Sequence, residues 1–359
     1  MQASRSDNSA IYVHGVGHFH PPNVIDSAFL ESLDIGTTAK WIDEKLGIAS
    51  RRTVLDLDYI RSTRNAVLAA ADEASMFTNA DTAERAANIA FQRAGITAKD
   101  IGVVICGSST PRHLVPPEAC ILADRLGLEV PAMDINGACN SFLTQASMLA
   151  AMGENAPADY YLIVQTENMT RHVSYNDRAT AAIMGDCTTA VIVSTRIPAR
   201  MKVGNISLGC ASYLWREAVI PVATHFYQNG REVKKFAVAK MLESVYGQSD
   251  RDSLNYVFHQ ANYRLLQEVV QTAGIPDDRH FCNVNRFGNC ASAGSTSVLS
   301  ENWDLFNSQP MRINLAVIGG GLSWGMATIT TSPRACLTSN EADPNEAEVG
   351  QYSHQLTSV

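Results

Sequence analysis

Residues 131–152 read PAMDINGACNSFLTQASMLAAM: a short apolar run, a tight turn carrying Cys139, then Phe142, Leu143, Ala146, Leu149 and Ala150 at helical spacing. That is a strand, a turn and a helix. A cysteine there faces the free N–H groups and positive dipole end of a helix start, the setting in which a thiol becomes a nucleophile at neutral pH. Working outward, short β-like runs alternate with amphipathic helices, which is the α/β pattern. The spacing predicts strands over residues 10–17, 101–107, 131–135, 160–165, 190–194, 256–259 and 313–319. Several are continuously apolar, as strands buried on both faces must be. Helices are predicted over residues 62–75, 82–95, 116–126, 139–152, 233–246, 260–273 and 293–302.

The order helix, strand, helix with a key residue at its start, then paired strands occurs twice. The expected organisation is an N-terminal half over residues 1–196 carrying the cysteine and a C-terminal half over 197–331. Residues 332–359 are rich in Asn, Ser, Glu and Pro without apolar period, and read as a flexible tail.

Composition narrows the function. A chain of 359 residues with 46% hydrophobic content holds a sizeable core, and its formal charge of −8 argues against nucleic acid or an anionic membrane as a general partner. The opening MQASRSDNSAIYVHG lacks a basic start followed by an apolar stretch, and no apolar run reaches the ~18–20 residues of a membrane helix. The expectation is a cytoplasmic protein. The eight cysteines, at 106, 120, 139, 187, 210, 282, 290 and 336, include no C-x-x-C pair, so neither structural zinc nor a disulfide framework is expected.

Two further strings bear chemistry. In SLNYVFHQANYRLLQEVV, residues 253–270, a strand ends at His259 and a helix follows, which directs the imidazole out of the carboxyl edge of the sheet. In RFGNCASAG, residues 286–294, Gly288 allows a tight turn at Asn289, and the small residues after it permit close approach. His259 and Asn289 can then donate together to one carbonyl oxygen. GGGLSWGMA, residues 319–327, is a poor dinucleotide fingerprint, since its third spacing departs from G-x-G-x-x-G. It reads better as a glycine loop whose backbone N–H completes an oxyanion hole with Cys139.

Cys139, the HQAN from His259, the GN at Gly288–Asn289 and the GGGLSWG from Gly319 resemble, in order and spacing, the β-ketoacyl-ACP synthase III group of thiolase-fold condensing enzymes. The resemblance covers residues 10–331. It implies two pseudo-symmetric halves in a five-layered αβαβα body and a homodimer. It further implies that Cys139 takes an acyl group from an acyl-CoA or acyl-carrier thioester. His259 and Asn289 would then hold a malonyl thioester through decarboxylative Claisen condensation, while the N–H groups of Cys139 and Gly320 hold the oxyanion. The thioesters are substrates, and no metal or other cofactor is implied.

By the same resemblance Trp41 and Arg178 sandwich the adenine of CoA, Lys45 and Gly230 lie along the donor path, Arg264 meets an acyl carrier protein, and Val115 enters the acyl pocket of a partner subunit. Lys45 and Arg231 stand where arginine and asparagine are common in the group, and Val115 where a large aromatic is common. Together with Glu118, Asn140, Ser141 and Cys187, these departures suggest a specialised fatty-acid or polyketide pathway. An aspartate at 289 would suit proton removal from an alcohol or amine, so Asn289 favours carbon–carbon bond formation. The alternatives are a Cys-His acyltransferase that moves an acyl group to a hydroxyl or amine, and a non-catalytic subunit of a heterodimer. A papain-like protease lacks support in the residues around Cys139.

Overall fold

The computed structural model describes residues 10–332. Apart from Ser332, the tail expected over 332–359 lies outside the described residues.

Ten strands form one continuous hydrogen-bonded sheet: β1 (Ile11–Phe19), β2 (Ile101–Gly107), β3 (Ala132–Asp134), β4 (Tyr160–Glu167), β5 (Cys187–Ser194), β6 (Met201–Cys210), β7 (Asn255–Phe258), β8 (His280–Phe281), β9 (Met311–Gly319) and β10 (Ser323–Thr331). Their order across it is β8-β7-β9-β10-β6-β1-β5-β4-β2-β3. Each half repeats the other. From the centre outward both run first, fifth, fourth, second, third strand of their own set, antiparallel at the first two pairings and parallel at the last two. The halves join where β1 pairs with β6 through Ile11↔Val203, Tyr12↔Lys202 and Val13↔Met201.

Six helices repeat in the same way: α1 (Asn79–Ala94), α2 (Glu118–Arg125) and α3 (Ser141–Met152), then α4 (Gly230–Tyr246), α5 (Tyr263–Ala273) and α6 (Ala291–Glu301). Helices α3 and α6 touch strands of both halves and form the central layer. Helix α1 covers the outer face of the first half, α4 packs beside β9, and α5 packs against α4. The result is an αβαβα thiolase-like body.

Sequence explains the layering. Every residue of α6 from Ala291 to Ser300 is buried, and its run of Ala, Ser, Gly and Thr is slim enough to lie between the two halves of the sheet. Its hydroxyls find carbonyls rather than water: Ser295 donates to Phe258, Ser297 to Gly294 and Ser300 to Val16. On the outside, α1 lies so close to β1 that a Cβ on Gly17 would meet the Ala86 carbonyl oxygen at 2.0 Å.

The helix expected over 62–75 is two shorter ones, Leu57–Thr63 and Leu68–Glu73. Between them Arg64 and Asn65 adopt left-handed φ values of 57° and 52°. The Asn65 amide donates to the carbonyls of Arg171 and Val173, both at 2.9 Å, a long-range demand that overrides local helix preference. Strands β6, β8 and β10 were not among the seven expected. Beyond Val203, β6 alternates between exposed and half-buried residues and carries two glycines, so its apolar signal is weak.

Candidate active site

The nucleophile turn is compact. Strand β3 ends at Asp134 and α3 starts at Ser141, so Cys139 stands two residues before the helix, with Asn140 as its cap. Ala138 is held at φ 51°, a left-handed conformation that turns the chain sharply at the cysteine. The backbone N–H groups of Cys139 itself and of Gly320 both point at the sulfur. One expectation is reversed. Burial, with the Glu167 carboxylate next in weight, pushes the thiol up to about 12, and the two N–H groups only partly oppose this. The helix start does not make a resting thiolate.

His259 follows β7 directly, and α5 begins only at Tyr263, after a turn capped by Asn262. The backbone N–H of His259 donates to Ala316 on β9 at 2.7 Å, and its carbonyl accepts from Ala261 at 2.8 Å. Burial alone holds the imidazole down at about 4, so it is neutral in the physiological range. A neutral ring has one N–H to donate.

Asn289 sits in the turn before α6. Its backbone N–H donates to Ile183 and its carbonyl accepts from Gly185, at 2.8 and 3.0 Å, so the first half of the molecule grips a residue of the second. Gly288, at φ 71°, makes this approach possible, because a Cβ there would lie 2.6 Å from the Ile183 carbonyl oxygen. The side-chain oxygen of Asn289 accepts from the Ala291 N–H at 2.9 Å, which leaves its NH2 as the free donor.

Cys139, His259, Asn289 and Gly320 line one cavity of about 300 Å³, with Met169, Ile183, Phe226 and Leu265 among its apolar walls. Gly230 lines it too. The other expected contacts lie outside that wall. Trp41 and Lys45 sit on the helix Ala39–Lys45, and the Arg178 guanidinium lies over the Trp41 ring at 5.0 Å. A base sandwiched between them would have to part the pair. Arg264 is tied to the same helix through the carbonyl and, at 3.8 Å, the carboxylate of Asp43. Val115 is 82% exposed and does not line the cavity of its own chain.

Three supporting residues carry weight that sequence reading did not assign. Asn140 donates to Ser323 Oγ at 2.8 Å, and Ser323 Oγ donates to the Gly320 carbonyl at 3.0 Å, a chain that fixes the glycine hairpin beside Cys139. The Gln260 side-chain oxygen accepts from the backbone N–H groups of Asn283 and Val284, at 3.0 and 3.2 Å, and so couples the histidine turn to the chain leading to Asn289. Glu167 ends β4 fully buried and hydrogen-bonded to Ser109 and Ser292. The one local signal for it is the polar run Gln165–Asn168 closing an otherwise apolar strand.

Two pseudo-symmetric halves meet at one cavity lined by a cysteine, a neutral histidine and an asparagine, in a thiolase-like architecture. Residues 133–212 match the family described as 3-oxoacyl-[acyl-carrier-protein (ACP)] synthase III, and residues 247–331 match its C-terminal counterpart. The β-ketoacyl-[acyl-carrier-protein] synthase III of Oceanobacillus iheyensis is 28% identical over 330 residues, covering 89% of this chain and 98% of that relative. That of Nitratidesulfovibrio vulgaris is 29% identical, covering 92% and 99%. The crystal structure of 3-oxoacyl-(acyl carrier protein) synthase III from Pseudomonas aeruginosa PAO1 superposes with a TM-score of 0.78 at 25% identity, covering 90% of this chain and 99% of that one. The chain is thus similar to the β-ketoacyl-ACP synthase III enzymes, and that similarity indicates a condensing acyltransferase.

Proposed function

We propose that Cys139 accepts an acyl group from an acyl-CoA or acyl-carrier thioester and passes it to the carbanion released when a malonyl thioester, carried by an acyl carrier protein, loses CO2. The product is a β-ketoacyl thioester. The observation that carries this reading is the shared cavity of Cys139, His259, Asn289 and Gly320, which brings a half-buried thiol, a neutral imidazole and a carboxamide with an unused NH2 to one wall. An enolate oxygen needs donors that do not first have to be ionised, and a buried neutral imidazole with a fixed carboxamide supplies them. The backbone N–H groups at the sulfur suit the oxyanion of each tetrahedral intermediate. Both steps balance without metal or redox cofactor.

Donor recognition by Trp41, Lys45, Arg178 and Gly230, and carrier docking at Arg264, form part of the proposal. So does a homodimer, supported by the loop on which Leu114 and Val115 are 81% and 82% exposed. A larger cavity of about 790 Å³ shares Ser109 and Ile220 with the catalytic one and is lined by Leu114 from that loop. It supports an extended or bulky primer, and with it a specialised pathway.

The test is intact-protein mass spectrometry after exposure to a panel of acyl-CoAs and acyl-carriers, with CO2 release from malonyl-ACP measured in parallel. Wild type should gain one acyl mass and Cys139→Ala none. His259→Ala and Asn289→Ala should load yet release no CO2. Loading without CO2 release in the wild type would favour transfer to a hydroxyl or amine instead.

A further inference from the structure

Glu167 places a fully buried carboxyl group behind Ser109 of the catalytic cavity wall, bonded by neutral groups. The nearest cation along the chain, Arg171, is turned away to Asp72, Asn79 and Thr110. Glu167 accepts instead from the backbone N–H of Ser109 at 3.1 Å, from Ser109 Oγ at 3.2 Å and from Ser292 Oγ. These two serines belong to opposite halves. Ser109, in the loop after β2, lines the catalytic cavity. Ser292 lies in the first turn of α6, one residue past Ala291, whose N–H holds the Asn289 side chain. One carboxyl group therefore ties the cavity wall of the first half to the segment that aims Asn289 in the second.

We propose that Glu167 is a positioning residue of the condensing site, acting on Cys139 through its charge and on Asn289 through Ser292. The inference rests on the roles given above to Cys139 and Asn289. During loading the C–S bond of the donor breaks, a C–S bond to Cys139 forms, and the cysteine proton ends on the departing thiol. An ionised Glu167 opposes the thiolate through which that exchange passes, and a protonated Glu167 does not. Burial lifts its carboxyl to about 7, so both forms are present at neutral pH. The titratable groups around it are Cys139 before α3, Asp186, Cys187, and Cys290 before α6, whose thiol is pushed up by its contact with Cys187 and by burial, with the Asp186 and Glu167 carboxylates adding to this. His259 lines the cavity in neutral form.

The experiment is iodoacetamide alkylation of the full chain from pH 6 to 9.5, read peptide by peptide so that exposed Cys120 and Cys210 are scored apart from Cys139. In wild type the logarithm of the Cys139 rate should rise by less than one unit per pH unit just above pH 7, because Glu167 ionises there. Glu167→Gln should restore unit slope and react roughly threefold to tenfold faster at pH 8, the effect of about half to one unit in thiol pKa. Ser292→Ala keeps the charge but removes a hydroxyl that favours the carboxylate, so the bend should move to higher pH. The same variant should cut CO2 release at least about tenfold while loading stays within about twofold.

Coincident alkylation profiles for wild type and Glu167→Gln would overturn the proposal. So would Ser292→Ala losing loading and CO2 release in equal proportion. Alkylation needs no acyl donor, so it judges Glu167 even if Cys139 accepts no thioester. An acyl-Cys139 adduct with coincident profiles would keep the condensing reading and remove this one.

Discussion

Replacing Asn289 by aspartate separates the two half-reactions. The aspartate keeps an oxygen for the Ala291 N–H, so the turn before α6 should hold its shape and the Tm should move by only a few degrees. Two other things change. The unused NH2 donor is lost, and a deleted oxyanion donor costs about 10²–10³ in rate, or about 2.7–4 kcal/mol. A second carboxylate also joins Glu167, which already raises the Cys139 thiol. Each further unit of thiol pKa lowers the thiolate fraction tenfold. Condensation should therefore fall at least ~100-fold and acyl loading no more than ~10-fold. Loading is followed by intact mass after rapid quench, condensation by CO2 release from malonyl-ACP under saturating primer. Equal losses in the two steps, or condensation within tenfold of wild type, would refute the assignment of the amide as an enolate donor.

Three further outcomes are expected. Asn140→Ala frees the Ser323 hydroxyl and slackens Gly320, so acyl-enzyme formation should slow by about 10–100-fold, measured by quench-flow; an unchanged loading rate would detach Gly320 from the chemistry. Gly288→Ala forces a Cβ onto the Ile183 carbonyl at positive φ and should cost at least about 1–3 kcal/mol in urea unfolding. Acid should destabilise the fold below pH 6.5. Burial lowers His172, His259 and His280 to about 4, so between those pH values the unfolded chain binds protons that the native one does not, and stability falls as pH falls. Glu167, raised to about 7, and Asp186, raised to about 6, work in the opposite sense but are fewer. Calorimetry between pH 7 and 4.5 should show a decreasing Tm, and a rising one would contradict the buried neutral imidazoles.

What could be read along the chain is what local chemistry dictates. The cysteine turn, the histidine turn and the Asn289 turn each join an apolar run to a helix through small or capping residues, and each lies within a few positions of its expected place. The strands buried on both faces were equally legible, because a parallel strand under two helix layers must be apolar throughout. Glu167, Asn140 and Gln260 were not assigned these roles. Their partners lie 125, 183 and 23 residues away, so no window of sequence contains the reason for them.

The thiol shows why the same limit applies to electrostatics. A helix start predicts a depressed pKa, and the two N–H groups at the sulfur do act in that direction. Cys139 also packs against two of the core clusters, and desolvation there outweighs the dipole. Reactivity then has to arise when a thioester enters, with N–H groups already aimed at the sulfur and the oxyanion stabilised as it forms. Desolvation that raises the thiol also lowers its reactivity toward stray electrophiles. Burial that opposes the thiolate and preorganised donors that favour the tetrahedral state are thus complementary. The two pseudo-symmetric halves supply both, because each contributes one central helix and the turn before it.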